Sequence, residues 1–444
     1  MNNRSRKVFI ETYGCQMNFS DSEIVGSILT AHKFQIASSY SDSDIILLNT
    51  CSIRDNAEQK IRSRLQFFAS QKRQNPGLII GVLGCMAERL KTKLLEEERC
   101  VDIAVGPDAY RDLPRLLSIA DNGQRAVNVL LSADETYADI SPVRLGNNKV
   151  TSFITIMRGC ENHCSYCVVP SVRGTERSRD PITIVNEAKS LAKEGYREVT
   201  LIGQNVNSYR WETASNILTF PDLLKNVAAI DSCLRVRFAT SHPKDLSDEL
   251  LAVIAQHQNI CKSIHLPLQS GSSAILHKMN RGYDRQWYIE RIEAIRRIIP
   301  NCSITTDIIA GFCSETEQDH LLTLSAMKQA QFDYAYMFKY SERPDTPAAN
   351  RFADDVPDKV KSRRLNEIIA LQQELSLQSN REDTGKTFQV LVEGFSKRSK
   401  SELMGRTSQN KVMVFKGNGI KPGDYVNVEV VSCTAATLLG VVRP

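Results

Sequence analysis

From Val8 to Phe338 the chain alternates short apolar runs with amphipathic segments, and this alternation leaves few folds open. Strands separated by helix-length crossovers pair in parallel, so the pattern predicts α/β architecture. The first series has strands at 8–14, 45–50 and 78–84. Its helices are predicted to open at Ser20-Asp21-Ser22-Glu23, where capping residues stand, and to cover 56–69 and 88–98. Each of the three strands runs directly into a cysteine: Cys15, Cys51 and Cys85. Carboxyl ends of parallel strands share one edge, where such sheets bind ligands, so these three thiols are expected to converge. An ordinary buried cysteine at each place is the other reading. Cys100 lacks the placement and reads as core.

A second series has strands at 153–157, 198–202, 235–238, 263–266, 303–309 and 332–338, with helices at 182–194, 220–229, 247–256, 283–299 and 315–330. Six such units predict a partial or full (β/α) barrel, whose active site lies at the strands' carboxyl ends. Polar residues gather there: Gly203, Gln204 and Asn205, then Thr240, Ser241 and His242, then Gln269, with Asp307 and Gly311 on the fifth unit. We read Tyr166, Gly203, Gln204, Asn205, Ser241, His242, Gln269 and Asp307 as the cofactor rim.

Between the two series lies Arg158-Gly159-Cys160-Glu161-Asn162-His163-Cys164-Ser165-Tyr166-Cys167. Three thiols at this spacing can wrap one metal centre and leave a coordination position open. Structural zinc sites are closed by four ligands, whereas an iron–sulfur cluster takes thiolates and can keep one iron free. A zinc site completed by His163, or three unligated core thiols, are the competing readings. Arg173, Arg177 and Arg179 follow as a basic run, read either as a solvated loop or as phosphate contacts.

A polar helix at 357–377, with Leu365, Ile368, Ile369, Gln372 and Leu375 on its inward face, marks a boundary. Beyond it, strands at 388–392, 403–406, 411–415, 425–431 and 438–442 predict a small barrel of the OB type. From Arg381 onward ten Lys or Arg outnumber six Asp or Glu, an excess of four within a chain whose net charge is +5. Lys397, Arg398, Lys400, Arg406, Lys411 and Lys416 read either as residues that follow a phosphate backbone or as the charges of an ordinary basic β domain holding the barrel together. With 42% hydrophobic and 24% charged residues and no membrane-length apolar run, the chain is expected to be a cytoplasmic globular protein. Its twelve cysteines then argue for metal ligation and buried thiols rather than disulfides.

The cysteine loop with Tyr166 resembles the signature of radical S-adenosylmethionine (SAM) enzymes. Thr12-Tyr13-Gly14-Cys15-Gln16-Met17-Asn18, Asn49-Thr50-Cys51-Ser52-Ile53-Arg54, Gly84-Cys85-Met86-Ala87 and Cys167-Val168-Val169-Pro170 with Arg173-Gly174 extend the likeness. So do the stretches from Gly203 to Tyr209 and from His265 to Ser272. Together they resemble the methylthiotransferases of that superfamily over nearly the whole chain. Ile53-Arg54 fits the branch acting on dimethylallyladenosine in tRNA better than relatives acting on threonylcarbamoyladenosine or on a ribosomal protein.

The resemblance implies an N-terminal methylthiotransferase domain at 7–125, a radical SAM domain at 146–378 and an RNA-binding TRAM β-barrel at 379–444. It implies two 4Fe–4S clusters, one on Cys160, Cys164 and Cys167 that cleaves SAM and an auxiliary one on Cys15, Cys51 and Cys85 that supplies sulfur. A SAM-derived 5′-deoxyadenosyl radical would remove hydrogen from carbon 2 of the adenine next to the anticodon, and a second SAM would give the methyl group. Protein acids and bases have no implied part in this chemistry. Implied partners are the tRNA anticodon stem-loop, a reductant such as flavodoxin or ferredoxin and a sulfur or cluster donor, with the protein a monomer off the membrane. A non-catalytic iron–sulfur RNA-binding protein is the rival from another class. Two stretches depart from the family pattern: Cys313-Ser314 replaces the commoner Pro and Gly, and Asp345 replaces Gly. Cys313 is not read as a ligand.

Overall fold

A computed structural model describes residues 5–52, 55–146 and 149–443; Ile53 and Arg54, which carried the choice of branch, lie outside them. The chain divides into two compact units. The first holds residues 1–147 with 155–161 and 167–183. The second holds 148–154, 162–166 and 184–444.

In the first unit six strands form one sheet: β1 Lys7–Thr12, β2 Gln35–Ile36, β3 Ile45–Thr50, β4 Ile79–Gly84, β5 Ile103–Val105 and β6 Ala126–Asn128, in the order β2-β1-β3-β4-β5-β6. All neighbours are parallel. Every residue of β3 and β4 is buried, because helices cover both faces. Ile45 and Leu47 enter the core with Val25 and Leu29 of helix Gln16–Ala31. Ile46 and Leu48 enter another with Leu65 and Phe68 of helix Asp55–Gln74.

The first helix begins at Gln16, not at Ser20. Cys15 is its N-cap, closing a capping box with Asn18, and Ser20, Asp21 and Ser22 are buried within it. The helix expected at 88–98 is two short ones, Cys85–Leu90 and Thr92–Glu97, broken where Lys91 turns to φ +52°. The short β5 and β6, unmarked in the sequence, complete the sheet. The strand expected at 153–157 is two: β7 Thr151–Thr155 and β8 Met157–Arg158, which pairs antiparallel with β9 Arg177–Ser178 within the first unit.

The second unit carries the half barrel. β10 Glu198–Ile202 lies between β7 and β13 Arg235–Phe238, after the hairpin β11 Arg210–Glu212 and β12 Ile217–Thr219. β14 Ser263–His265, β15 Ser303–Ala310 and β16 Tyr334–Lys339 continue in parallel, joined through the Val236–Ile260 bridge. β17 Thr387–Ser396, β18 Ser399–Arg406, β19 Val412–Lys416, β20 Tyr425–Cys433 and β21 Leu438–Arg443 close the predicted five-stranded barrel. Helix Asp358–Arg381 buries Ile368 and Gln372 of the expected inward face, with Leu365, Ile369 and Leu375 half-buried, and also buries Lys361, Arg364, Ser376 and Asn380. Two of its polar groups are bound there: Arg364 pairs with Glu315 at 2.9 Å, and Gln372 donates to the Phe332 carbonyl at 2.9 Å.

Candidate metal and cofactor sites

At the carboxyl edge of the first sheet, an amide network fixes the strand ends that carry the cysteines. Asn18 Nδ2 donates to Asn49 Oδ1 at 3.2 Å and to the Thr50 carbonyl at 3.1 Å. Asn49 Nδ2 returns a bond to the Asn18 carbonyl at 2.8 Å, and Thr50 Oγ1 donates to the Leu83 carbonyl at 2.7 Å. Gly14, at φ +131°, passes so close that a Cβ there would stand 2.5 Å from Asn18 Oδ1 and 2.6 Å from Cys51 Cβ. Cys15 is exposed, while Cys51 and Cys85 are buried.

The loop after β8 reaches the same region of the first unit. Cys160 N donates to the Gly174 carbonyl at 3.1 Å, and Cys167 Sγ accepts from Val169 N at 3.4 Å. Gly159 has φ +79°, and a Cβ on it would overlap the Thr175 carbonyl. Val168 and Val172, just beyond Cys167, pack on Cys85. Arg173 donates from Nε to Cys85 Sγ at 3.3 Å, and its Nη2 lies 2.8 Å from Asp21 Oδ2. Arg158 pairs with Asp21 Oδ1 and lies over the Tyr137 ring at 4.6 Å. Arg158, Asp21 and Arg173 are thus a buried cation–anion–cation triad with a surplus positive charge. Burial pushes the Cys85 thiol up, Arg173 pulls it down, and Cys15 adds to the rise.

Arg177 pairs with Asp108 at 2.8 Å and is buried; Arg179 donates from Nε to Thr183 Oγ1 at 3.0 Å and is buried too. The expectation that Arg173 and Arg177 meet RNA phosphate is therefore corrected: both side chains are buried, with Asp21 and Asp108 as their carboxylate partners. No three His, Cys, Asp or Glu side chains among the described residues close round a single ion. A four-iron cluster is larger than one ion, and the donors here suit it: thiols, with Arg158 Nε and Nη1 and Arg173 Nη1 buried and lacking a hydrogen-bond partner among the described residues. A thiolate-held anionic cluster satisfies such donors.

In the second unit, Cys164 Sγ accepts from Arg281 Nη1 at 3.1 Å, and the same nitrogen donates to Tyr166 Oη at 3.3 Å. Arg281 also donates from Nη2 to the Pro267 carbonyl at 3.2 Å. Ser165 N and Asn280 Nδ2 hold the loop by bonds to the Met279 and His163 carbonyls. Gly203, Gln204, Asn205, Ser241 and His242 of the predicted rim follow β10 and β13. Asn205 is buried, donating to Asp245 Oδ2 at 2.7 Å and accepting from His242 N at 3.1 Å. The Gly203 carbonyl accepts from Thr240 Oγ1 at 2.6 Å, with Gln204 beside it half-buried.

His242 Nδ1 accepts from Lys244 N at 3.3 Å, which leaves the proton on Nε2. Burial first, then the charges of Arg281 and Lys244, push its pKa down to about 2, so the ring is neutral. Its Nε2, Ser241 Oγ and both amide atoms of Asn207 are buried and lack a partner among the described residues, as a site for a polar ligand requires. Thr240 and Gln269 each stand at φ +68°, strain of the kind found at ligand rims. Gln269 N donates to the Asp307 carbonyl at 2.8 Å, while the Asp307 side chain lies 3.3 Å from His265 Nε2.

The small β-barrel divides its basic residues. Lys397 and Arg398, at the β17–β18 turn, are exposed beside Phe395. The Lys400 side chain lies outside the described residues. Lys411 pairs with Asp383 at 2.7 Å and Asp333 at 3.3 Å, and Arg406 lies 3.3 Å from Glu393. Lys411 is therefore corrected from a phosphate contact to a strut against the half barrel. Residues 406–408 accept from Arg235 and Arg237 at the start of β13: Arg235 Nη1 to the Arg406 carbonyl at 2.8 Å, Arg237 Nη2 to the Thr407 carbonyl at 2.6 Å. Cys313 is fully buried with Phe312 and Tyr340, as core. Sequence reasoning missed Asp21, Arg158, Arg281 and Asn207. The first two were hidden as a cap and a loop residue, and Arg281 stood far from any cysteine in sequence.

Family models match three stretches: the uncharacterized protein family UPF0004 at 7–106, the radical SAM superfamily at 154–326 and the TRAM domain at 381–442. The chain is 56% identical over 448 residues to the tRNA-2-methylthio-N(6)-dimethylallyladenosine synthase of Amoebophilus asiaticus, covering 98% of this chain and 92% of that one. It is 56% identical to the synthase of the same name from Phocaeicola vulgatus (98% and 96% covered) and 52% identical to that of Porphyromonas gingivalis (99% and 95%). The fold is shared with the radical SAM methyltransferase TsrM from Kitasatospora setae, at a TM-score of 0.59 and 13% identity, with 78% of this chain and 77% of that one covered. No helix among the described residues is long and apolar enough to cross a membrane.

Proposed function

Because the chain belongs to the tRNA-2-methylthio-N(6)-dimethylallyladenosine synthases of the radical SAM superfamily, we propose that its two cysteine sets each hold one 4Fe–4S cluster for that reaction. The reaction is methylthiolation of carbon 2 of N(6)-dimethylallyladenosine in tRNA. The observation that carries the reading is the pair of buried arginines, each donating to a cysteine sulfur. When bound, the clusters and SAM supply the radical, the sulfur and the methyl group.

The chain's own residues position and insulate. Cys15, Cys51 and Cys85 are the ligands at the sheet edge, and Cys160, Cys164 and Cys167 those of the loop. Arg173 and Arg281 place a positive charge on the thiolates and exclude water by their burial. His242 Nε2–H, Ser241 and Asn207 present hydrogen-bonding groups to SAM, and Gly203, Gln204, Asn205 and Gln269 shape that rim. Lys397, Arg398 and Lys416 are exposed basic groups of the barrel that would meet tRNA backbone, while Arg406, at the far end of the β17–β18 hairpin, lies against Glu393. Domain limits of 7–125, 146–378 and 379–444, a flavodoxin or ferredoxin reductant, a sulfur donor, a cytoplasmic location and a monomeric state complete the proposal.

The test is incubation of reconstituted protein with SAM, a reductant and tRNA bearing dimethylallyladenosine. Methylthio-dimethylallyladenosine with 5′-deoxyadenosine is expected by mass spectrometry. Neither product from a sample with full iron content would leave an iron–sulfur RNA-binding protein instead.

A further inference from the structure

The inner face of the half barrel is closed on one side and open on the other. On β10 and β13 the inner residues Glu198, Arg235 and Arg237 are buried, since Phe238 packs outward on Phe220 and residues 406–408 cover the arginines. On β15 the outward residue Thr306 accompanies Tyr288 of helix Arg285–Ile298, so Thr305 and Asp307 face in. Register places Thr305 beside His265 and Tyr334, and Asp307 beside Tyr336. Tyr334 and Tyr336 contact each other edge-on at 5.1 Å and are nevertheless 45% and 48% exposed. The His265 ring stands 5.8 Å from Tyr336 and 3.3 Å from Asp307 Oδ2.

Two exposed aromatic rings beside a carboxylate and an imidazole suit a flat ligand with a hydrogen-bonding edge. Bases taken out of a stack are held in this way, on aromatic faces with polar contacts to their edges. We propose that Tyr334 and Tyr336 stack the target base of the tRNA loop and that Asp307, steadied by His265, accepts its N6–H. The assignment rests on the proposed function, in which the substrate is a 6-amino purine with one N6 hydrogen left after dimethylallylation. A carboxylate facing that edge repels the O6 acceptor of a 6-oxo purine, so the same group discriminates as well as binds.

The test measures binding of anticodon stem-loop RNAs to the reconstituted full chain by fluorescence anisotropy. The RNAs carry dimethylallyladenosine, inosine or an abasic sugar at the target position. Wild type is expected to prefer the dimethylallyladenosine RNA over the abasic one by about tenfold or more, the scale of base–aromatic stacking. Tyr334→Ala with Tyr336→Ala is expected to bring that ratio near one while affinity for the abasic RNA stays the same, and Tyr336→Phe to keep the ratio. Asp307→Asn is expected to abolish the preference over inosine. Retention of both preferences in these variants, with the wild type still forming product, overturns the platform and leaves the proposed function standing. A wild type that shows neither preference nor product overturns both.

Discussion

At Cys85 and at Cys164 a buried arginine donates to the sulfur, at 3.3 and 3.1 Å, yet the two guanidinium groups are compensated differently. Arg173 shares Asp21 with Arg158, so its charge is half-neutralised by a carboxylate. Arg281 is surrounded by the hydroxyls of Tyr166 and Tyr283 and the Pro267 carbonyl, and ranges over the Tyr283 ring at 5.3 Å. Both guanidinium pKa values are raised, against the lowering effect of burial; Asp21 is foremost at Arg173 and Tyr166 at Arg281. A carboxylate partner makes the first arginine part of the fold. The second has no carboxylate partner among the described residues, and divides its donors among Cys164, Tyr166, Tyr283 and the Pro267 carbonyl.

The comparison breaks most visibly at Asp21. Asp21→Ala strands two buried guanidinium groups and is expected to cost about 3–5 kcal/mol, read by denaturant unfolding. Arg281→Met is expected to leave more of the fold intact but to slow 5′-deoxyadenosine formation about a hundredfold, the scale of one lost preorganised donor. Arg281→Lys should recover part of that rate. Gly14→Ala, with its Cβ driven into Asn18 and Cys51, is expected to cost about 2 kcal/mol and to lower iron content.

Glu88, on the helix that Cys85 opens, sharpens the picture of the first unit. Burial raises its carboxyl to about 7, Lys91 opposing and Asp108 assisting. The folded state therefore holds a proton that the unfolded chain releases near 4.5, and stability falls as pH rises from there through 7. Glu88→Gln is expected to gain about 2 kcal/mol over wild type at pH 8 and much less at pH 4, seen in paired unfolding curves. The smallest effect belongs to the departures from the family pattern. Ser314 and Asp345 both stand at positive φ, +60° and +66°, so Asp345→Gly is expected to stabilise by about 0.5 kcal/mol in thermal unfolding.

Burial on both faces wrote β3, β10 and β13 plainly into the sequence, and their limits agree with the expected ones. β5 and β6, three residues each, are too short to carry a period. The cysteines at strand ends were legible because topology alone sends those ends to one edge. Their arginines were not. A run such as Arg173, Arg177 and Arg179 reads as exposed charge until Asp21 and Asp108 are known to face it. Ser20-Asp21-Ser22 likewise reads as a cap, since nothing local reveals that Asn18 has already closed the helix start. Tyr334 and Tyr336 look like any alternating strand, because nothing local tells which face of that strand stays uncovered.

Anaerobic iron and sulfide content, with EPR, tests the two-centre account most directly, on wild type and on the Cys160→Ala, Cys164→Ala, Cys167→Ala triple variant. The account predicts about eight irons per chain falling to about four, the remainder held by Cys15, Cys51 and Cys85. About four irons falling to none would contradict it, leaving the cysteines at the sheet edge as buried thiols beside a misread arginine.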